Sequence, residues 1–187
     1  MVRRADSTKD FAMPKGEIRR VIRNLKRQYS KTQLAEMSLE IAEKLLAHPR
    51  VQSSRTILLY SPLSDEVDVS PMLDALPSKR LLLPKVTGDT SMELRLYTGA
   101  DCLSAGAFGI MEPTGEVFSD YQSIDLAIVP GMAFDRECHR LGRGKGYYDR
   151  MLAQLPNVYK IGVCFSFQLV EAIPTDATDV PMDEVVC

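Results

Sequence analysis

The densest group of reactive side chains lies between Pro130 and Arg150, in the sequence PGMAFDRECHRLGRGKGYYDR. Gly142, Gly144 and Gly146 alternate there with other residues. Cationic side chains surround these glycines: Arg136, Arg140, Arg143, Lys145 and Arg150. Glycines let backbone N–H groups approach an anion closely, and a helix that begins after them adds the positive end of its dipole. The pattern favours a phosphate-binding loop, and a solvated flexible turn is the alternative that these residues leave open.

Neither of the two common nucleotide motifs fits this loop. A Walker A loop is G-x-x-x-x-G-K-[ST], but Gly146 follows Gly144 and Lys145 where serine or threonine is required. A Rossmann G-x-G-x-x-G motif fails because Tyr147 stands three residues after Gly144. The residues alone therefore indicate a phosphate loop of no assigned type.

Asp149 falls in the first turn of the helix that is expected after this loop. Magnesium bound together with a polyphosphate is commonly held by one or two carboxylates and by phosphate oxygens, so Asp149 is a candidate magnesium ligand. A carboxylate at this position would equally complement the helix dipole. The residues alone do not decide between these two roles.

A second cationic surface is expected on the first helix. Pro14 suits a helix start, and Ile18 and Ile22 recur at helical spacing. Lys15, Arg19 and Lys26 fall on one stripe beside this apolar face. Taken alone, the stripe is best interpreted as a solvated surface, with a cleft wall as the alternative.

Strand and helix patterns alternate along the rest of the chain. Strands are expected at 56–60, 80–83, 93–98, 124–129, 158–165 and 184–186, and helices at 69–76 and 146–155. A capping box at Ser30 and Gln33 begins a second helix, which is expected to stop before Pro49. This order predicts an α/β protein: a single domain at 14–187 with a mostly parallel sheet flanked by helices and an N-terminal helical hairpin packed on it. Residues 1–13 are interpreted as a loose leader.

The site is expected at the carboxyl edge of this sheet. The segment 124–129 is almost wholly apolar, as a strand buried on both faces would be, and the glycine loop follows it. Open α/β sheets bind their ligands at the edge where the strands end.

Composition limits the function classes. Lys and Arg number 23 against 25 Asp and Glu, a net charge of −2 that disfavours general nucleic-acid binding. No apolar run approaches the ~18 residues of a membrane span. The four cysteines form no CxxC pair and are expected to be reduced thiols in a cytoplasmic protein. His48 and His139 are too far apart in sequence to suggest a zinc site. A monomer acting on small molecules is the expectation.

The motifs and their order resemble the 5-formyltetrahydrofolate cyclo-ligase family from Lys15 to Val186. The specific signature is VPGMAFDRECHRLGRGKGYYDRML, from Val129 to Leu152. Shorter segments support it in order: KGEIR at 15–19, SPLSDEVD at 61–68, LPKV at 83–86, GAFGIMEP at 106–113 and TDVPMDEVV at 178–186.

This resemblance implies a ligase of one-carbon metabolism that uses ATP and Mg²⁺. ATP would phosphorylate the formyl oxygen of 5-formyltetrahydrofolate, and the substrate's own N10 would then attack the activated carbon. The products would be 5,10-methenyltetrahydrofolate, ADP and phosphate. The glycines, cations and carboxylate suit this chemistry, because phosphoryl transfer needs positioning and charge neutralisation more than a protein nucleophile.

The resemblance also implies roles for individual residues. ATP contacts are expected from Lys15, Arg19, Arg140, Leu141, Gly142, Arg143, Gly144, Lys145, Gly146, Tyr147 and Tyr148. Catalytic roles fall to Lys145, Arg143 and Tyr148, substrate contacts to Glu66, Tyr147 and Tyr148, and magnesium ligation to Asp149 and Asp179. For Lys15, Arg19 and Asp149 the resemblance thus favours the ligand-binding interpretation.

Two positions depart from the family pattern. Cys138 stands where the family commonly has glycine, and Thr178 stands where it often has histidine or asparagine.

Two alternative functions remain open from the fold class alone, because a fold does not fix function. One is an ATP-independent enzyme resembling sugar-phosphate isomerases or acyl-CoA transferases, and the other is a nucleotide-binding module without catalysis.

Overall fold

The computed structural model describes residues 13–106 and 111–187, so the leader expected at 1–13 lies outside the described residues apart from Met13. The helices are α1 (Lys15–Lys26), α2 (Lys31–Ala47), α3 (Pro49–Ser53), α4 (Pro71–Ala75) and α5 (Tyr147–Leu152). The strands are β1 (Thr56–Leu58), β2 (Arg80–Val86), β3 (Met92–Tyr97), β4 (Leu103–Ala105), β5 (Met111–Pro113), β6 (Val117–Phe118), β7 (Leu126–Pro130), β8 (Ala133–Phe134), β9 (Arg140–Leu141), β10 (Tyr159–Val163) and β11 (Glu184–Val186).

A seven-stranded sheet forms the centre of the described structure, in the order β11-β10-β7-β1-β2-β3-β6. The five strands from β11 to β2 are parallel to one another. Strands β3 and β6 continue the sheet in antiparallel pairing. This topology confirms the expected α/β fold with a mostly parallel sheet.

The sheet is buried on both faces. Side chains of β7 alternate between two apolar clusters: Ile128 packs in the cluster that includes α2, and Val129 in the cluster that includes α5. All five residues of β7 are buried, as the apolar run in the sequence predicts. The strand ends at Pro130, and the β8–β9 hairpin that follows it leads into the glycine loop.

Helices α1 and α2 follow one another but pack on different surfaces. Ile18 and Ile22 of α1 pack on Met132, Ala133 and Leu141 of the β8–β9 hairpin. Helix α2 packs on the central sheet through the cluster of α4 and β1. Its start has the expected capping box, in which the Gln33 N–H donates to Ser30 Oγ at 3.2 Å and the Ser30 N–H donates to Gln33 Oε1 at 2.8 Å. No helix among the described residues is long and apolar enough to cross a membrane.

Strand β2 runs through Pro84 to Val86, so the expectation that it ends at residue 83, before this proline, is wrong. The carbonyl of Leu82 accepts a hydrogen bond from the Leu59 N–H and therefore faces β1. Along a strand, the backbone polar groups of successive residues point alternately to the two neighbouring strands. The nitrogen of Pro84 therefore points to the same side as the carbonyl of Leu82, where β1 has already ended. The missing N–H is not needed there, which is the condition for proline within a sheet.

Candidate active site

One cleft of about 1430 Å³ opens at the carboxyl edge of the sheet. Its walls come from α1, the loop after β1, the ends of β2 and β5, the glycine loop, α5 and the segment before β11. Every site residue expected from the sequence borders this cleft: Lys15, Arg19, Glu66, Arg140, Leu141, Gly142, Arg143, Gly144, Lys145, Gly146, Tyr147, Tyr148, Asp149 and Asp179. The structure thus brings together residues that are up to 164 positions apart in sequence.

The glycine loop takes a backbone path that suits glycine. Gly144 has φ 108° and Gly146 has φ 66°, values that side-chain-bearing residues rarely adopt. Gly146 directly precedes α5, so the loop feeds into a helix start as expected. Arg19 of α1 donates from Nε to the Gly142 carbonyl at 2.8 Å. Helix α1 therefore fixes the position of the loop from the opposite wall of the cleft.

Arg140 lies beneath Asp149, and its side chain is only 3% exposed. Its Nη2 donates to Asp149 Oδ1 at 2.9 Å, and its guanidinium lies 5.5 Å from the centre of the Tyr148 ring. The Val180 N–H also approaches Asp149 Oδ1, at 3.4 Å. These contacts orient the carboxylate, while its Oδ2 has no hydrogen bond from the described residues. The Nε of Arg140 is buried and has no hydrogen-bond partner among them.

Asp179 is paired with the first residue of α1. Lys15 Nζ lies 2.5 Å from Asp179 Oδ2 and 2.6 Å from Asp176 Oδ2. Partial burial acts to raise the pKa of Asp179, but hydrogen bonds from Lys15 and from the Asp176 backbone N–H outweigh it and lower the pKa. Asp179 is therefore ionised at neutral pH and already holds a cationic group.

Asp149 and Asp179 suit a magnesium ion. Both offer carboxylate oxygens to the same cleft, and the ammonium of Lys15 shows that Asp179 accommodates a cation. The described residues contain no cluster of three or more His, Cys, Asp or Glu side chains that would form a complete protein cage. Magnesium usually keeps several waters and binds one or two carboxylates together with substrate phosphates, so two carboxylates beside the glycine loop fit it.

Glu66 lines the same cleft as Asp179 and is held in place by two hydrogen bonds. Its Oε1 accepts from Arg143 Nε at 3.0 Å, its Oε2 accepts from the Leu63 N–H at 3.1 Å, and the side chain is 10% exposed. Arg143 also donates to Asp65 Oδ1 at 2.5 Å. The guanidinium of Arg143 therefore reaches from the glycine loop to the loop after β1.

The two tyrosines that follow the glycine loop differ in their surroundings. Burial raises the pKa of Tyr148 well above its usual range, with Glu66 adding to the effect, so its hydroxyl stays protonated and can donate a hydrogen bond. Tyr147 donates its hydroxyl to the Gly88 carbonyl at 3.0 Å, which joins α5 to the turn between β2 and β3. Arg150 packs over the Tyr147 ring and donates to Thr90 O at 2.8 Å in the same turn. Lys145 is exposed and makes no ion pair with the described residues.

Two acidic residues at this edge, Asp135 and Asp65, were not assigned a role from the sequence. Asp135 is 3% exposed and accepts from Glu137 N, His139 N, His139 Nδ1 and Ile173 N, so it organises the β8–β9 turn. Asp65 and Lys26 form an ion pair behind Glu66. No motif or spacing in the sequence connects Asp135 with Ile173 or Asp65 with Lys26, because the two partners lie on different elements.

Cys138 occupies the left-handed region with φ 63°, alone among the described residues other than glycine. This conformation favours glycine, which accounts physically for the glycine expected there. Nothing in the structure explains the threonine at position 178, which simply lines the cleft beside Asp179.

A family model described as the 5-formyltetrahydrofolate cyclo-ligase family matches residues 12–187. The chain belongs to this family. It is 30% identical to the 5-formyltetrahydrofolate cyclo-ligase of Escherichia coli K12, over 89% of this chain and 96% of that protein. Membership confirms the family indicated by the motif order.

Solved structures of the cyclo-ligase family agree with this fold. The NMR structure of the Aquifex aeolicus 5,10-methenyltetrahydrofolate synthetase superposes with a TM-score of 0.81 at 40% identity, covering 93% of this chain and 89% of that one. A 5,10-methenyltetrahydrofolate synthetase from Mycoplasma pneumoniae superposes with a TM-score of 0.76 at 29% identity, covering 93% of this chain and 98% of that one.

Proposed function

We propose that this cyclo-ligase family member converts 5-formyltetrahydrofolate to 5,10-methenyltetrahydrofolate at the expense of ATP, with Mg²⁺ bound by Asp149 and Asp179. The observation that carries the proposal is that the glycine loop, both carboxylates and Glu66 all line the same cleft. A site for a lone sugar phosphate would need the loop and its cations, but not a pair of carboxylates facing them.

ATP is expected to lie between α1 and the glycine loop. Lys15 and Arg19 come from one wall and Lys145 from the other, so cations reach the phosphates from two sides. Magnesium, when bound, would neutralise phosphate charge between the carboxylates of Asp149 and Asp179. Arg140 supports this arrangement from below by orienting Asp149.

The folate is expected on the other side of the cleft. Glu66 can accept from the pterin N–H groups. Apolar side chains of Leu63, Val86, Met92 and Met111 line this region and offer a surface for aromatic rings. We expect Arg143, which contacts Glu66, and Tyr148, which packs beside Arg140, to lie between the two substrates and to contact both.

The reaction follows from this juxtaposition. The formyl oxygen attacks the γ-phosphorus of ATP, the bond from that phosphorus to ADP breaks, and ADP leaves. N10 then attacks the formyl carbon, the carbon–oxygen bond breaks, and phosphate departs with the former formyl oxygen while the N10 proton is lost. Lys145, Arg143 and the protonated hydroxyl of Tyr148 stabilise the charge that develops on the transferred phosphoryl group.

The proposal extends to the protein as a whole. We place it in the cytoplasm as a monomer whose domain spans 14–187, and the four free cysteines support the cytoplasmic location. Sedimentation of the purified protein at the mass of two chains would contradict the monomer.

The test is a reaction of purified protein with 5-formyltetrahydrofolate, ATP and Mg²⁺, followed by the absorbance of the methenyl product. We expect product only when all three are present, and a large loss in Asp149→Asn but not in Asp120→Asn, a matched change at an exposed aspartate. Product formation without ATP would favour an ATP-independent enzyme, and nucleotide binding without product would favour a non-catalytic module.

A further inference from the structure

Lys26 is a buried lysine at the end of α1, and the expectation of a solvated basic stripe is wrong for it. Its side chain is only 4% exposed. The ammonium donates to the backbone carbonyl of Asp65 and lies 3.2 Å from Asp65 Oδ2. Lysine is almost never buried to this degree unless it is paired, because burial of a charge is costly. The question is therefore what the Lys26–Asp65 pair does for the site.

The pair continues into a chain of four alternating charges. Lys26 contacts Asp65, Asp65 Oδ1 accepts from Arg143 Nη2 at 2.5 Å, and Arg143 Nε donates to Glu66 Oε1 at 3.0 Å. Asp65 thus divides its oxygens between two cations, one of which orients Glu66. The positions of Arg143 and Glu66 in the cleft therefore depend on where Lys26 holds Asp65.

Helix α1 connects this chain to the nucleotide side of the cleft. Its first residue, Lys15, contacts Asp179, and Arg19 contacts the Gly142 carbonyl, whereas Lys26 at its last residue contacts the loop after β1. At 1.5 Å per residue, the helix spans roughly 16 Å between its two ends. One rigid element thus contacts both the glycine loop and the loop that carries Glu66.

We propose that Lys26 is a positioning residue for the folate substrate: it fixes the loop 61–68 so that Glu66 and Arg143 face the pterin. The inference rests on the proposed function, because it takes the ligand beside Glu66 to be 5-formyltetrahydrofolate. Lys26 itself does not touch the substrate, since its ammonium lies behind Asp65.

Substitution at this site should not prevent folding. In Lys26→Met the long apolar stem is kept and the buried positive charge is removed. Removal of one partner of a buried ion pair is destabilising mainly where the other partner is left buried and unpaired. Asp65 retains Arg143 as a partner and is 36% exposed, so it is not left as an isolated buried charge. What the variant loses is the anchor that fixes the loop relative to α1.

The experiment measures the Kd of 5-formyltetrahydrofolate and, separately, the Kd of ATP by calorimetry. The variants are Lys26→Met, Lys26→Arg and, as a matched loss of one exposed charge on the same helix, Arg23→Met. We expect Lys26→Met to raise the folate Kd roughly tenfold, equivalent to ~1.4 kcal/mol. The ATP Kd should stay within about twofold, because Arg143 is only one of several expected ATP contacts and Lys15, Arg19 and Lys145 are unchanged. Lys26→Arg should retain most of the folate affinity, and Arg23→Met should match the parent.

Four results would overturn the inference. One is an unchanged folate Kd in Lys26→Met, and another is a parallel loss of folate and ATP affinity with a lower Tm, which would mean a purely structural role. If Lys26→Met fails to fold, Asp65→Asn at its half-exposed partner takes its place, and unchanged folate affinity there would be equally contrary. A parent protein that binds ATP but no 5-formyltetrahydrofolate would instead refute the proposed function, and the inference with it.

Discussion

The ammonium of Lys15 lies 2.5 Å from Oδ2 of Asp179, so the first residue of α1 occupies one oxygen of the candidate magnesium ligand. Lys15 is also expected to contact ATP. In the proposed complex Asp179 would hold the magnesium ion, and Lys15 would then be available for a phosphate. The same carboxylate would thus have a cationic partner before and after binding.

Lys15→Met should make the protein depend on magnesium for part of its stability. Without Lys15, Asp176 and Asp179 lose their shared counter-charge, and we expect the Tm in EDTA to fall by about 2–4 °C, the equivalent of ~1 kcal/mol for a protein of this size. Added Mg²⁺ should recover more of the Tm in this variant than it adds to the parent. Lys31→Met, at an exposed lysine of α2, serves as the control, and an equal response to Mg²⁺ in all three proteins would contradict this role of Lys15.

Lys145→Ala should lower kcat more than it weakens substrate binding. Lys145 is exposed at the cleft and has no ion pair among the described residues, so its charge is available for the phosphoryl group. Removal of a group that stabilises transition-state charge typically costs ~10²–10³-fold in kcat. Steady-state kinetics of Lys145→Ala and of Lys31→Ala would check this. A normal kcat with only a raised KM for ATP would place Lys145 outside the chemistry.

Local signals made a large part of this architecture predictable. Patterns of only a few residues predict three features: the helix start at Ser30 and Gln33, the buried strand β7, and the glycine loop before α5. Pairings between distant elements could not be predicted in this way. Lys26 shares its helical stripe with Arg19, and only its partner Asp65, 39 positions away, decides that it is buried.

Arg140 illustrates the same limit within the site. The sequence places it among the cations of the glycine loop, where a phosphate contact is the natural expectation. The β8–β9 hairpin turns its side chain inward, to Asp149 on α5.

The length of strand β2 also depends on its neighbours. The strand extends through Pro84 because the neighbouring strand β1 ends early, and the sequence around Pro84 does not show this.

Cys138→Gly should raise the free energy of unfolding. At φ 63° the cysteine Cβ is crowded by the backbone, an arrangement that costs ~1–2 kcal/mol, and the greater flexibility of glycine in the unfolded chain offsets part of the gain. We expect a net increase of about 0.5–1 kcal/mol in urea denaturation. Cys138→Ala keeps the strained conformation and should show no such increase; an equal gain in both variants would assign the effect to loss of the thiol instead.

Stability near pH 10 should report the burial of Lys26. Burial lowers the pKa of Lys26 below 10.5, although Asp65 acts in the opposite direction. Between the lowered pKa of the folded protein and 10.5, the unfolded chain binds more protons, so this residue makes stability rise with pH. Comparison of the parent with Lys26→Met in denaturant titrations from pH 8 upward isolates the effect. The parent should gain stability relative to the variant as the pH approaches 10.5, whereas a constant difference would mean that Lys26 titrates as an ordinary lysine.

The most direct measurement follows the formyl oxygen. 5-Formyltetrahydrofolate labelled with oxygen-18 in its formyl group is converted in the presence of ATP and Mg²⁺, and the released phosphate is analysed by mass spectrometry. Phosphorylation of the formyl oxygen requires that each phosphate carry three oxygens from ATP and the labelled oxygen from the folate. Unlabelled phosphate, with the label released to water, would contradict the activation step on which the account depends.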